Sequence, residues 1–100
     1  MDKFSPHDVE QALSKVMHPE INYSLVDLGM VEDIVCKKDQ VHLTLKLPFL
    51  QVPVKELLID IIKKTLSALD NSIQVEINME QMSQQERDKF KKMAKEGWKL

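Results

Sequence analysis

The chain has 100 residues, room for one domain around one core and too few for two. Its 43% apolar and 30% charged residues are ordinary for a globular domain, and a net charge of −2 gives no electrostatic reason to expect nucleic acid or an anionic membrane as partner. No apolar run approaches the roughly 20 residues of a membrane helix, and Met1–Asp8 has no apolar signal core. The lone cysteine, Cys36, can neither close an intrachain disulfide nor build a thiolate site by itself, so the expectation is a cytoplasmic protein.

Ser5-Pro6-His7-Asp8 predicts a helix start, with Ser5 as cap, Pro6 at the first helical position and Asp8 completing a capping-box pattern. Val9, Ala12, Leu13 and Val16 follow at helical spacing, and Pro19 ends the helix at or just before His18. His18 to Met30 has no helical period. Asp27-Leu28-Gly29 reads as a turn in which Gly29 supplies positive φ. Val31 to Lys37 predicts a strand and Lys38-Asp39-Gln40 a hairpin loop. In the next strand Val41, Leu43, Leu45 and Leu47 share one face, while His42, Thr44 and Lys46 share the other, wet or functional one.

Pro48 and Pro53 bracket an apolar segment, with Pro53 expected in the first turn of a second helix. Its stripe is Val54, Leu57, Leu58, Ile61, Ile62, Leu66 and Leu69, and Asp70-Asn71-Ser72 stops it. Ile73, Val75 and Ile77 alternate as a third strand. Ser83-Gln84-Gln85-Glu86 is a capping box that opens a charged helix. Phe90, Met93 and Ala94 are its apolar anchors, Gly97 stops it, and Trp98 lies just beyond.

Sites for chemistry are sparse. His7, His18, His42 and Cys36 never pair at helical ligand spacing, so they read as ordinary surface, strand or packed residues and no metal site is expected. With only Gly29 and Gly97 there is no glycine-rich phosphate loop, and no serine lies in a nucleophile elbow. No catalytic residue is therefore assigned. Glu20, Asp27, Glu32 and Asp33 gather around the turn, a solvated acidic loop by default and a cation or pKa-tuning site on the sharper reading. The tail helix reads as a surface helix with intrahelical ion pairs, or as a partner-docking helix using Phe90, Met93 and Trp98.

A helix, then His18-Pro19-Glu20-Ile21, then Leu25-Val26-Asp27-Leu28-Gly29-Met30-Val31, then a hairpin reaching Leu43-Thr44-Leu45, resembles the iron–sulfur cluster assembly domain. That family includes PaaD-like and SufT-like proteins and the domain preceding the ATPase of Mrp-type cluster carriers. The likeness spans about residues 5 to 78. His18 stands where the motif has aspartate, and Met30 where it has leucine. The resemblance implies a Cys-Pro pair opening the second helix, with small hydroxylated residues before it. The matching pair here is Val52-Pro53, followed by Val54-Lys55-Glu56-Leu57 as in the Mrp-type branch, and Lys46 and Leu47 take the hydroxyl positions. The intervening loop is about two residues longer. A cysteine at such a helix start is activated by the helix dipole, and Val52 cannot supply that chemistry.

The expected fold is α+β in the order α-β-β-α-β, a three-stranded mixed sheet with two helices on one face and an added C-terminal helix. Residues 1–82 would be the assembly-like domain and 83–100 its helical extension. The place of the third strand beside either member of the hairpin stays open. The expected function, by resemblance, is an accessory or adaptor protein of iron–sulfur cluster assembly or carriage. It would act by contact with assembly proteins or a Mrp-type ATPase, without catalysis and without a cofactor of its own. Candidate contact and motif residues are Glu20, Asp27, Gly29, Phe49 and Val52. The alternatives are a metal- or cluster-binding carrier using Cys36 across a homodimer, and a plain interaction module of another pathway.

Overall fold

The structure is a computed structural model that describes residues 5–51 and 53–98. Its elements are α1 (Pro6–Leu13), β1 (Val31–Lys37), β2 (Gln40–Leu47), α2 (Lys55–Leu69), β3 (Gln74–Gln81) and α3 (Gln84–Gly97). The order α-β-β-α-β-α around a three-stranded mixed sheet is the expected α+β fold.

Both capping boxes form. The Asp8 N–H donates to Ser5 Oγ and the Ser5 N–H to the Asp8 carboxylate, each at 3.1 Å. The same exchange joins Ser83 and Glu86 at the start of α3. Each pair satisfies amides that the first turn of a helix leaves without a partner.

The first helix ends at Leu13, earlier than Pro19 alone requires. Beyond it the backbone finds better partners across an irregular hairpin. The Leu25 N–H donates to the Val16 carbonyl and the His18 N–H to the Tyr23 carbonyl, each at 3.0 Å. Pro53 also lies outside its helix. Val54 is the N-cap of α2, with no side-chain capping bond.

The hairpin β1–β2 closes through Lys38-Asp39, with Lys38 at φ 55°. One extra residue is accommodated in β1 between Glu32 and Val35, where Asp33 sits at φ 53°. A short polar side chain tolerates that left-handed geometry better than most, and such bulges bend an edge strand away from further pairing. β3 runs parallel to β2 in unbroken register from Gln40↔Gln74 to Leu47↔Gln81. Parallel neighbours need a crossover, and α2 supplies it. The open question of the third strand is thus resolved: the strand order is β1-β2-β3, with β2 central.

The alternation of β2 holds. Val41, Leu43, Leu45 and Leu47 are buried in one cluster with Val9 and Leu13 of α1 and Leu58, Ile62 and Leu66 of α2. Each such side chain contributes about 1.5–3 kcal/mol of burial. The α2 stripe is narrower than its sequence suggests: Leu57 and Leu69 are exposed, while Ile59 packs on the core. Thr44 faces the other side of the sheet yet is buried, because the central strand is flanked there by Glu32 and Asn78. No helix among the described residues is long and apolar enough to cross a membrane.

Candidate functional site

The turn at 24–30 is built by backbone bonds from Leu28 N–H to the Ser24 carbonyl and from Met30 N–H to the Leu25 carbonyl, both 3.0 Å. Gly29 takes φ +73°, as a turn of this kind demands. Leu28 and Val31 enter the core. The side-chain bond of the turn comes from Ser24, not Asp27: the Asp27 N–H donates to the Ser24 hydroxyl at 3.0 Å. Asp27 itself is exposed.

Eight residues upstream of Val26, His18 is 4% exposed, and its Nδ1 accepts the Glu20 N–H at 3.0 Å. This is the i to i+2 bond of an Asx turn, made by imidazole at the position where the motif has aspartate. The His18 ring then meets Phe90 of α3 edge-on, with centroids 6.5 Å apart.

That contact shows where the tail goes. The charged helix docks on its own chain. Phe90, Met93 and Ala94 pack on the core, and Ile21 pairs with Trp98 in a short antiparallel bridge. The Asn22 N–H donates to the Gly97 carbonyl at 2.6 Å. Gly97 is the last helical residue rather than a left-handed stop. Its lack of a side chain lets the Tyr23 ring approach, since a Cβ there would lie 2.7 Å from Tyr23 Cδ2.

Between these parts lies an open apolar cavity of about 380 Å³. The motif segment contributes His18, Glu20, Ile21 and Met30. The segment after β2 contributes Pro48, Pro53 and Val54, and α3 contributes Phe90, Ala94 and Trp98. Of the candidate contact and motif residues among the described residues, only Glu20 lines it. Phe49 is 52% exposed beside it, under the Arg87 guanidinium at 5.3 Å from the ring centroid. Val52 lies outside the described residues. The apolar segment 48–51 does not plug the core: Phe49 and Leu50 are both exposed.

The start of α3 is held from the sheet. Lys46 Nζ lies 3.3 Å from Glu86, 3.6 Å from Glu80 and 3.8 Å from Glu32. One ammonium thereby joins β1, β2, β3 and α3. The hydrogen bond to Glu86, reinforced by the nearby carboxylates, raises the Lys46 pKa above its ordinary value against a smaller desolvation effect. The Ser83 N–H, with further help from Lys46 and the Ser83 hydroxyl, holds the Glu86 carboxyl below its usual range. Sequence reading missed this junction. The facing of Lys46 was legible, but the register that brings Glu80 beside it was not.

Among the described residues no three His, Cys, Asp or Glu side chains are placed to hold a metal ion. Cys36 is buried on the core side of β1, paired with Val41, and does not line the cavity. Four thiolates, or thiolates with histidines, are the usual ligands of iron–sulfur clusters, and this chain has one thiol.

Comparison with known proteins places these features in context. A family model described as "Iron-sulfur cluster assembly protein" matches residues 6–79. The Fe-S protein maturation auxiliary factor YitW of Bacillus subtilis (strain 168) is 28% identical over 96 residues, which cover 95% of this chain and 94% of that protein. A crystal structure of a domain of unknown function, DUF59, from Bacillus anthracis superposes with a TM-score of 0.71 at 22% identity, covering 90% of this chain and 87% of that one. At that identity the likeness shows a shared fold.

Proposed function

Because the chain belongs to the iron–sulfur cluster assembly protein family, we propose that it is a non-catalytic accessory factor in iron–sulfur protein maturation, acting by protein contact through the cavity face. The observation that carries this reading is what converges on that face. The family motif at 18–30 and the segment where the family places its cysteine both meet α3 there, and they enclose apolar surface instead of a thiol or a ligand set. Glu20 and Gly29 act as motif residues, one at the rim and one in the turn beneath it. Phe49, whose ring lies under Arg87, and Asp27, exposed in the turn, stand as contact residues, with Val52 as a third read from the sequence. Residues 83–100 act as an extension of the assembly-like domain at 1–82. The reading places the protein in the cytoplasm, with assembly proteins or a Mrp-type ATPase as partners.

The test is a deletion strain in which enzymes that carry iron–sulfur clusters are assayed beside enzymes that do not. The expected result is a selective loss of the cluster enzymes, restored by the wild-type gene, together with co-purification of an assembly component. Unchanged cluster occupancy in the deletion strain would refute the reading. If Cys36→Ser restores the cluster enzymes as well as wild type does, the thiol carries none of the function.

A further inference from the structure

The cavity has a charged margin that its apolar lining does not need. Phe90, Ala94 and Trp98 recur every four residues and line it. Arg87, Lys91 and Lys95 make a second row with the same spacing, rotated by about 60–100° from the first. The row on the other side of the lining is Lys89, Met93 and Gly97, of which Lys89 is exposed, Met93 packs on the core and Gly97 meets Tyr23. The cationic row thus flanks the lining on the side away from Met93 and Gly97, with Lys91 and Lys95 exposed. The Arg87–Phe49 contact confirms the direction, since it reaches across to the segment that supplies Pro48.

Arg87 is also preorganised. Its guanidinium lies over Phe49 and one terminal nitrogen donates to Gln84 at 3.1 Å. A guanidinium offers five N–H donors in a planar fork suited to carboxylate, so most of that capacity stays directed outward. Asp88 and Glu96 fall further round the helix, and Asp88 is engaged by Gln84 at 2.9 Å. Glu20 is the lone carboxylate on the facing rim among the cavity's lining residues. Cations on one side and an apolar seat beside them are the complement of an acidic segment with a bulky apolar residue.

We infer that the cavity seats a large apolar side chain from an acidic, extended segment of a partner protein, whose carboxylates pair with Arg87, Lys91 and Lys95. This rests on the contact reading above and names the chemistry of its partner. The volume lies at the lower end of the roughly 300–1,000 Å³ of small-molecule sites, which suits one or two side chains.

Trp98 is the only tryptophan of the chain and lines the cavity, so its fluorescence reports occupancy directly. The probe is acetyl-Asp-Glu-Leu-Phe-Asp-Glu-amide, which has no tryptophan or tyrosine. The expected result is a saturable change with Kd on the order of 100 μM at low salt, weakened about tenfold by raising salt well past physiological strength. Lys91→Glu with Lys95→Glu weakens it about tenfold or more. Both sites are exposed, so folding is not at stake, and circular dichroism checks it. Ala94→Leu, which fills the seat, abolishes the change. A peptide with lysines for the acids, or alanines for Leu-Phe, gives none.

No saturable change, or equal binding of the lysine peptide, overturns the inference. So does binding untouched by the charge reversal. The charge-reversed gene is then placed in the deletion strain. Full restoration of cluster enzymes by it overturns the acidic partner while leaving the maturation role intact. A deletion strain with normal cluster enzymes overturns the maturation role, whatever the peptide does.

Discussion

Gly97→Ala tests whether α3 is seated as described, because its sign depends on the docking. In a helix held only by its own backbone, alanine in place of glycine stabilises by up to about 1 kcal/mol, since it has less freedom to lose. Against Tyr23 the sign reverses. The new Cβ would lie 2.7 Å from both Cδ2 and Cε2 of the ring and 3.3 Å from the Asn22 nitrogen. The helix end cannot slide away without loosening the 2.6 Å bond from Asn22 to the Gly97 carbonyl. Tyr23 is itself packed on the core, so its ring has little room to swing. Overpacking of this kind costs about 1–3 kcal/mol, and weakening one hydrogen bond adds up to about 1 kcal/mol. After the propensity gain is subtracted, the expected net loss is about 1–2 kcal/mol. Urea unfolding followed by far-ultraviolet circular dichroism and by Trp98 fluorescence measures it. In a Tyr23→Ala background the overlap is gone, and Gly97→Ala becomes neutral or stabilising, giving a coupling energy of at least about 1 kcal/mol. A raised urea midpoint for Gly97→Ala in the otherwise wild-type chain would refute the seating of α3 on Tyr23, and with it the closed wall of the cavity.

Three further outcomes follow from the same geometry. Gly29→Ala loses about 1–2 kcal/mol through backbone conformation alone, since φ is +73° and no atom lies within 4 Å of the added carbon; Gly29→Asn loses less, and a urea series over the three residues checks the order. Leu58→Ala costs about 2–5 kcal/mol, whereas Leu57→Ala, one residue earlier but 47% exposed, stays within about 0.5 kcal/mol; equal losses would show that the helix faces the core differently. The Glu86 carboxyl is lowered from 4.5 in the fold, so its contribution is present above that value and is lost as pH falls through the folded pKa. Lys46 is raised from 10.5, so its contribution is present below that value and is lost as pH rises through the folded pKa. In urea midpoints measured against pH, Lys46→Met removes the alkaline part of the decline and leaves most of the acid part, because the Ser83 N–H is the main cause of the Glu86 shift.

Much of the scaffold was legible because its signals are local. The β2 alternation and the two capping boxes depend only on neighbours within a few residues, and all three appear as read. Where reading failed, a distant partner decided. Pro19 marks a place where a helix cannot continue, yet α1 stops at Leu13 because Val16 and His18 bond to Leu25 and Tyr23. Leu57 lies about 100° round α2 from the buried row of Leu58, Ile62 and Leu66, and Leu69 is the last residue of the helix, so both belong to the apolar pattern yet are exposed. The parallel β2–β3 register could not be read at all, and it alone brings Glu80 to Lys46.

The candidate site was less legible than the fold for the same reason. Phe90, Met93 and Ala94 read as the few apolar anchors of a charged helix whose docking partner, its own domain or another protein, the sequence left open, and His18 looked like an isolated histidine that had displaced a motif aspartate. In the structure the substitution is one local function kept by different chemistry. Imidazole Nδ1 accepts the Glu20 N–H as a carboxylate would, and the larger ring also reaches Phe90. An aspartate at 18 is shorter and charged, and could not cover that apolar edge. The histidine thus links the turn to α3, and α3 in turn supplies one wall of the cavity. His18→Asp should keep the turn and loosen the helix, so a change in Trp98 emission with intact β-sheet dichroism is the expected signature. A variant that unfolds as a whole would instead mean that the ring is needed by the core rather than by the docking of α3.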